Sequence, residues 1–158
     1  MDQQLVSVIV LTYRNFDYFN ECMDSIFKQT YTKIELIISD DCSENFDLEF
    51  IESYLIQKKK SNIINVNIIH HQKNVGTVKN FNDAIKQSKG EYIFVLASDD
   101  SYYDNEVIEN VVNVFNEKNA LIVTAYREIY DENFLHVIER LPKKKEVQKI
   151  IKNKKLYK

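Results

Sequence analysis

The sequence predicts an α/β protein whose open, mostly parallel β-sheet carries helices on both faces. Apolar runs of strand length alternate along the chain with segments of helical spacing, in the order β-α-β-α-β-α-β-α-β. The runs at residues 5–11 and 34–39 are nearly continuous, which is typical of strands buried on both faces. The 158 residues include 2 Gly and 1 Pro, which is too few for a turn-rich all-β protein.

Five strands are expected, at residues 5–11, 34–39, 64–68, 91–97 and 120–125. In the third, Ile64, Val66 and Ile68 alternate with asparagines, a pattern typical of a half-buried strand. Because a helical segment separates each strand from the next, the strands are expected to run parallel.

Four helices are expected between these strands. Asp17 is the predicted N-cap of the first helix, and Gly90 is the predicted C-cap of the third. The expected apolar faces are Phe19, Cys22, Met23, Ile26 and Phe27, then Leu48, Ile51 and Leu55, then Val78, Phe81 and Ile85, and finally Val107, Ile108, Val111, Val112 and Phe115.

Charge is unevenly distributed along the chain. Residues 141–158 hold eight Lys and one Glu, so this segment carries +7 and residues 1–140 carry −10 of the net −3. We expect a domain over residues 1–140, followed by a Lys-rich tail that is either a surface helix or a frayed end. An acidic body is a poor surface for nucleic acid. It is either an ordinary solvated surface or suited to an anion held through a metal ion.

The cysteines and the N-terminus indicate the cellular compartment. Cys22 and Cys42 have neither metal-ligand spacing nor a disulfide framework, which favours a reducing, cytoplasmic setting. The first apolar run lacks a preceding basic region and has only the length of a strand, so neither a signal peptide nor a membrane-spanning helix is expected.

Polar residues follow three of the predicted strands and should meet at one edge of the sheet, where parallel α/β sheets bind ligands. They are Thr12, Tyr13 and Arg14, then Asp40, Asp41, Cys42 and Ser43, and then Ser98, Asp99, Asp100 and Ser101. Adjacent carboxylates at a strand end favour a partner charge, which Mg²⁺ or Mn²⁺ would supply together with substrate phosphates. Turn chemistry is the alternative for both aspartate pairs.

Base recognition is the functional interpretation of the first pair. A carboxylate there would accept a hydrogen bond from the imide N–H of uracil, with Tyr13 against the ring. His70 and His71 follow the third strand without further ligands at metal spacing, so they are interpreted as loop residues.

Three segments, VSVIVLTYRN, FKQTYTKIELIISDDCS and NVGTVKNFNDAIKQSKGEYIFVLASDD, resemble family 2 of the inverting glycosyltransferases, which have the GT-A fold. The resemblance covers about residues 5–130. It implies that Tyr13 and Asp41 bind the nucleotide base beside the backbone of Leu11 and Thr12. It also implies that Asp100 is the principal ligand of Mn²⁺ or Mg²⁺, that Asp99 reaches the ribose and the metal, and that Lys79 contacts the diphosphate.

The resemblance implies sugar transfer, with inversion, from a nucleotide-diphosphate sugar, foremost a UDP-sugar, to a glycan or lipid-linked acceptor. Two departures stand out: Cys42 replaces a usual Gly, and Val78-Lys79-Asn80 replaces an Ala-Arg-Asn pattern. The family's acidic catalytic base and its Gln-x-x-Arg-Trp-like segment have no match in these 158 residues, which contain no Trp.

A competing expectation is therefore a chain that binds nucleotide sugar without turnover. Asp131 and Glu132 match no base motif and are interpreted as turn residues. An oxidoreductase would need G-x-G-x-x-G, and a nucleotidyltransferase would need a Gly-rich loop after the first strand. The resemblance also suggests two weaker expectations: contact of the Lys-rich tail with anionic lipid at the inner membrane face, and self-association through apolar residues between Tyr126 and Ile138.

Overall fold

The computed structural model describes residues 3–131 and 135–152, and the side chains as far as residue 149. The chain forms two compact units, Met1–Asn119 and Ala120–Lys158. Glu132 lies outside the described residues. The predicted boundary between residues 1–140 and 141–158 stays a prediction.

The first unit alternates strands and helices as the sequence predicts. Its elements are β1 (Val6–Thr12), α1 (Phe19–Phe27), β2 (Ile34–Asp40), α2 (Leu48–Lys58), β3 (Ile63–His70), α3 (Thr77–Gln87), β4 (Tyr92–Ala97) and α4 (Val107–Lys118). The four strands are all parallel and lie in the order β3-β2-β1-β4. This arrangement confirms the predicted α/β class and its parallel sheet.

Helices cover both faces of this sheet. Apolar side chains of α1, α2 and α4 pack with Val6, Val8 and Val10 of β1 on one face. On the other face, Ala84 of α3 packs with Ile9 of β1 and with β2. Every residue of β2 is buried, and β1 has one partly exposed position, because both strands have a neighbour on each side and helices above and below.

Helix α1 begins one residue later than the predicted cap implies. Tyr18, and not Asp17, occupies the N-cap position, and no side chain caps the helix. Asp17 lies in the preceding turn, where its backbone N–H donates to Asn15 Oδ1 at 3.3 Å. The prediction for Asp17 is therefore wrong, because the turn and the burial of Phe19 set the start of the helix.

The buried face of α3 matches the predicted one in part, since Phe81 and Ile85 pack against the core as expected and Val78 does not. Val78 is 75% exposed, whereas Asn80 and Ala84 are buried. Asn80 donates from Nδ2 to the Ser39 carbonyl at 3.0 Å and accepts from Ser39 Oγ at 2.6 Å. These two bonds compensate for burying the amide and bring its side of the helix onto β2.

Ile64 in β3 is another departure from the predicted pattern. Ile34 pairs with Ile63, but the next residue, Glu35, pairs with Asn65, so Ile64 is the extra residue of a β-bulge. It is 53% exposed, whereas Val66 and Ile68 pack against the core as expected.

Gly90 is not the C-cap of α3, which Ser88 occupies in an extended conformation. The glycine is required instead by its close approach to β1. A Cβ at Gly90 would lie 2.4 Å from the Ser7 backbone nitrogen. The Gly90 N–H donates to Ser7 Oγ at 2.8 Å, and that hydroxyl donates to the buried Glu35 carboxylate at 2.7 Å.

Gly90→Ala is therefore expected to lower the free energy of unfolding by about 1–3 kcal/mol, the usual effect of forcing a methyl group into a packed site. Urea unfolding followed by circular dichroism measures this change. Lys60→Ala, at an exposed position, is the control and should leave stability within about 0.5 kcal/mol of the wild type. Equal stability of Gly90→Ala and wild type would show that β1 can move away from the added methyl group.

The second unit contains β5 (Arg127–Tyr130) and β6 (Val137–Leu141), which pair antiparallel, and α5 (Lys144–Lys152). The predicted strand at residues 120–125 is wrong, since the segment has no regular structure. Leu121 is 96% exposed and Ile122 is 83% exposed, so neither gains the burial and pairing that make a strand of such residues. In the part of the chain that the structure describes, no helix has the length and apolarity to cross a membrane.

Candidate functional site

The carboxyl ends of β2, β1 and β4 lie side by side at one edge of the sheet. Thr12 of β1 pairs with Asp40 of β2, and Leu11 pairs with Ala97 of β4. Chain order reverses at β1, since β2 and β3 lie on one side of it and β4 lies on the other. Such a topological switch is where open parallel sheets form a ligand-binding crevice. Both predicted aspartate pairs are therefore at this edge.

The loop after β1 connects the two aspartate pairs. The Arg14 N–H donates to Ser43 Oγ at 2.7 Å, on the side of the first pair. Asn15 Nδ2 donates to Asp99 Oδ2 at 3.3 Å, and Ser98 Oγ donates to the Asn15 carbonyl at 2.8 Å, on the side of the second. The sequence analysis did not assign Asn15 this connecting role. The only sign of it in the sequence is that Asn15 closely follows β1, the strand at the switch point.

Asp40 is a fully buried hub of this edge and is not available to a ligand. Its carboxylate accepts from Thr12 Oγ1 at 2.6 Å, from Ser43 Oγ at 2.5 Å and from the Ser43 N–H at 2.8 Å. Burial alone would raise the pKa of Asp40, but the hydrogen bonds from Ser43, Thr12 and His70 outweigh it and lower the pKa below its ordinary value.

His70 is the fourth partner of Asp40, with its Nδ1 2.8 Å from Asp40 Oδ2. Its ring stacks on Phe46 at a centroid distance of 4.3 Å. The interpretation of His70 as a loop residue is wrong: it is the last residue of β3 and joins that strand to β2. A histidine in register with a buried aspartate on the neighbouring strand was the signal, and it is visible only once the pairing is known.

Asp41, the predicted base-binding residue, is buried and holds the loop before α3. Its Oδ1 accepts from the Val75 N–H at 2.6 Å and its Oδ2 accepts from the Gly76 N–H at 2.9 Å. A carboxylate offers about four acceptor positions, so both oxygens keep one for a further donor. The role of Asp41 in base recognition stays a prediction.

Cys42 has a left-handed backbone conformation, with φ of 66°. Glycine adopts this region without steric cost, which explains physically why Gly is usual at this position in the family that the sequence resembles. This strained residue turns the chain sharply between Asp41 and Ser43. Asp41 bonds to the loop before α3, whereas Ser43 bonds to the loop after β1.

Cys42→Gly should raise the free energy of unfolding by about 0.5–1 kcal/mol, because relief of the left-handed strain exceeds the added flexibility of the unfolded chain. Thermal unfolding under reducing conditions measures the change. Cys42→Ala keeps the Cβ and should not stabilise. Equal stabilisation by both variants would assign the effect to loss of the thiol.

Asp99 and Asp100 directly follow β4, with the Asp100 N–H bonded to the Ala97 carbonyl at 3.0 Å. Asp99 is exposed and accepts a hydrogen bond from the amide of Asn15, whereas Asp100 is partly buried. Among the described residues, no group of three or more Asp, Glu, His or Cys side chains could enclose a metal ion. Two carboxylates nevertheless fit a hard cation that takes its other ligands from water and phosphate.

Tyr13 is 41% exposed just beyond β1, so part of its ring is open to a ligand. The backbone of Leu11 and Thr12 is already used, since their carbonyls accept from the N–H groups of Ser98 and Asp41, each at 3.0 Å. These carbonyls extend the strand pairing by one residue on each side.

Lys79 lies in the first turn of α3, and its ammonium group forms an ion pair with Asp83. Both residues line a shallow depression of about 500 Å³ that runs from Val75 to Lys86 along this helix. A diphosphate contact by Lys79 would require the ammonium to share or leave Asp83, and this role of Lys79 stays a prediction.

Comparison with known proteins gives a family match over nearly the whole chain. The family model described as "Glycosyl transferase family 2" matches residues 7–157. Glycosyltransferase GlyG of Streptococcus pneumoniae is 34% identical over 130 residues, which are 82% of this chain and 41% of GlyG. Poly(ribitol-phosphate) beta-N-acetylglucosaminyltransferase TarS of Staphylococcus aureus is 32% identical over 117 residues, or 72% of this chain and 19% of TarS.

Solved structures agree with this match. TarS residues 1–349 superpose with a TM-score of 0.62 and 26% identity, over 81% of this chain and 40% of that one, and they have been solved with UDP. The mannosyltransferase PcManGT of Pyrobaculum calidifontis, with 17% identity and a TM-score of 0.65, covers 82% of this chain and 36% of its own, and supports the GT-A fold. The chain thus spans less than half the length of these relatives.

Proposed function

Because the chain belongs to glycosyl transferase family 2, we propose that it supplies the nucleotide-sugar site of an enzyme that transfers a sugar from a UDP-sugar to a glycan or lipid-linked acceptor with inversion. The observation that carries this proposal is the meeting of Tyr13, Asp41, Asp99 and Asp100 at the switch-point edge of the parallel sheet. GlyG and TarS are similar over most of this chain, which supports transfer as the reaction class.

The base would bind against Tyr13, with its imide N–H donating to Asp41. The half-exposed ring of Tyr13 and the remaining acceptor capacity of Asp41 support this arrangement. Uracil is proposed as the base because the similar TarS has been solved with UDP and with UDP-GlcNAc. The backbone of Leu11 and Thr12 would form the floor beneath the base.

Asp100 and Asp99 would hold Mn²⁺ or Mg²⁺, with Asp99 also within reach of the ribose. Such a cation, when bound, neutralises the charge that develops on the leaving diphosphate. The contribution of the chain is to hold these carboxylates in place. The amide of Asn15 orients Asp99, and the bond between the Asp100 N–H and Ala97 sets the turn after β4.

Lys79 would add a positive charge beside the diphosphate after releasing Asp83. The depression along α3, which Lys79 lines, begins at the loop held by Asp41, so the ammonium is on the side of the base site. The Lys79 side chain is 59% exposed and Asp83 also pairs with Lys86 at 3.2 Å, so Lys79 can leave Asp83 for a diphosphate without stranding that carboxylate.

Binding of nucleotide sugar without turnover is the second candidate function. The environment of Asp131, an acidic residue of the second unit, supports this candidate. Its carboxylate accepts from the Leu135 N–H at 2.8 Å and from the His136 N–H at 3.3 Å, so nearby backbone groups already engage it. A general base needs a carboxylate directed at the acceptor hydroxyl, and base catalysis contributes about 10²–10⁴-fold.

Calorimetry with UDP, GDP and their sugar conjugates, each with Mn²⁺, Mg²⁺ or chelator, tests the donor proposal. We expect UDP to bind with a divalent cation and more weakly in chelator.

A transfer assay with this chain, next to a C-terminally longer form, then separates the two candidate functions. Turnover by both forms supports transfer by residues 1–158, whereas binding with turnover by the longer form alone supports the second candidate. No nucleotide binding by either form would refute the proposed function.

We also propose that the protein acts in the cytoplasm, where the Lys-rich segment 141–158 would attract anionic lipid and keep the protein close to a lipid-linked acceptor. Helix α5 begins with Lys144 and Lys145 and supplies part of this charge. Co-sedimentation with phosphatidylserine vesicles, at low and high salt, tests the contact.

Self-association is a separate proposal. Tyr126 and Ile138 of the second unit are exposed apolar residues that support it, and gel filtration across a range of protein concentrations measures it.

A further inference from the structure

Arg14 joins the loop after β1 to the loop after β2 through three separate groups. Its N–H donates to Ser43 Oγ at 2.7 Å, and its carbonyl accepts from Asn45 Nδ2 at 3.3 Å. Its guanidinium donates to Glu44 Oε1 at 3.3 Å. Three consecutive residues of the second loop therefore hold one residue of the first.

The backbone of Arg14 is unusual for its residue type. Its φ is 60°, in the left-handed region that few residues other than glycine, asparagine and aspartate adopt. The bonds to Ser43 and Asn45 hold the peptide groups on both sides of this strained position. They direct the side chain back over its neighbour Tyr13 instead of away from it.

The guanidinium of Arg14 lies over the ring of Tyr13, with Cζ 4.9 Å from the ring centroid. This distance is within the range of a cation–π contact, and a guanidinium also stacks well on an aromatic face. The same guanidinium donates to the Glu44 carboxylate at 3.3 Å. The partly exposed Tyr13 ring is therefore restrained on one face by a charged pair.

We propose that Arg14 is a positioning residue for nucleobase binding, which acts by holding the Tyr13 ring in the orientation that the base stacks on. The inference rests on the proposed function, since it needs a base at Tyr13. Arg14 restrains one face of the ring and leaves the other to the base. Glu44 acts through Arg14, because its carboxylate fixes where the guanidinium lies.

Each contact in this arrangement is weak because the groups are exposed: the side chain of Arg14 is 61% exposed and that of Glu44 is 87% exposed. The effect of removing the guanidinium is correspondingly modest. We expect Arg14→Ala to weaken UDP binding by about threefold to fivefold, which is the range of an exposed cation–π contact.

The experiment is calorimetric titration of the chain with UDP, UMP and inorganic pyrophosphate, in the presence of Mn²⁺. Arg14→Ala should weaken UDP and UMP by the same factor and leave pyrophosphate unchanged, because the lost restraint acts on the base. Arg14→Lys should retain part of the affinity, and Glu44→Gln should cause a smaller loss than Arg14→Ala. Arg127→Ala, which removes an exposed arginine of the second unit, is the matched control.

The pair of variants at Tyr13 and Arg14 provides the decisive comparison. In a Tyr13→Ala background, Arg14→Ala should weaken UDP binding no further, because the ring on which it acts is gone. The same further loss with and without the ring would overturn the inference, as would an equal loss for pyrophosphate, which would indicate a direct charge effect. Unchanged or tighter UDP binding by Arg14→Ala would also overturn it. Failure of the wild type to bind UDP would instead refute the proposed function.

Discussion

Asp100→Ala is expected to weaken UDP binding in Mn²⁺ by at least about 100-fold and to leave the fold intact. Losing groups that merely orient a metal ligand weakens metal sites by about 10–100-fold, so losing a ligand should do at least as much. The site offers two adjacent carboxylates, and the remaining Asp99 cannot hold a hard cation as tightly alone. Calorimetry of the variant, with and without chelator, measures the loss.

Controls for this prediction separate the metal from general charge. Asp100→Asn keeps the size of the side chain and should behave like Asp100→Ala, because a neutral amide binds a divalent cation far more weakly. Glu52→Gln, on the exposed surface of α2, removes one negative charge elsewhere and should bind UDP like the wild type. UDP binding of equal affinity in chelator and in Mn²⁺ would contradict the metal role of this pair.

The order of elements in the first unit was predictable from the sequence because local and global signals agree there. The continuous apolar runs of β1 and β2 are buried, and the helical spacing of α1 matches its buried face from Phe19 to Phe27. Predictions failed where tertiary contacts decide. The bulge at Ile64 depends on pairing with β2, and the packing of α3 depends on two bonds between Asn80 and Ser39.

The location of the candidate site was predictable from the sequence, but the contacts of its individual residues were less so. Parallel strands bring Asp41 and Asp99 to one edge, and strand order alone predicts this once the sheet is parallel. Sequence could not distinguish Asp40, which is fully buried by its partners, from its neighbour Asp41. Asp40 ends β2 and Asp41 lies just beyond it, so the partners of each depend on the tertiary contacts at this strand end.

A consequence is that the candidate site is built on a supporting layer of buried polar groups. Asp40 ties together Thr12 of β1, Ser43 of the next loop and His70 of β3, and Ser43 also holds Arg14. The residues proposed to touch nucleotide thus adjoin a fixed network, with Tyr13 and Asp99 exposed and Asp41 buried. Such a layer keeps the site in place without the ligand, which reduces the ordering that binding requires.

Asp40→Ala is expected to lower the free energy of unfolding by about 3–5 kcal/mol at pH 7, the range for breaking a buried, hydrogen-bonded charge network. The variant leaves Thr12 Oγ1, the Ser43 N–H and His70 Nδ1 without their shared acceptor. Asp40→Asn should destabilise as well, because an amide has one accepting oxygen where the carboxylate has two. Urea unfolding followed by circular dichroism measures these changes.

The pH dependence of this difference identifies the carboxylate as its source. The pKa of Asp40 is lowered in the folded protein, because the hydrogen bonds to its carboxylate outweigh the opposing effect of burial. Its contribution is therefore complete above the unfolded pKa of about 3.9 and is lost as the pH falls through the lower, folded value. The stability gap between wild type and Asp40→Asn should narrow below about pH 4, where the carboxylate of Asp40 becomes protonated. Asp17→Asn, at an exposed turn position, should show no such gap at any pH. A gap that persists unchanged at acid pH would mean that side-chain shape, and not the charge of Asp40, stabilises this edge of the sheet.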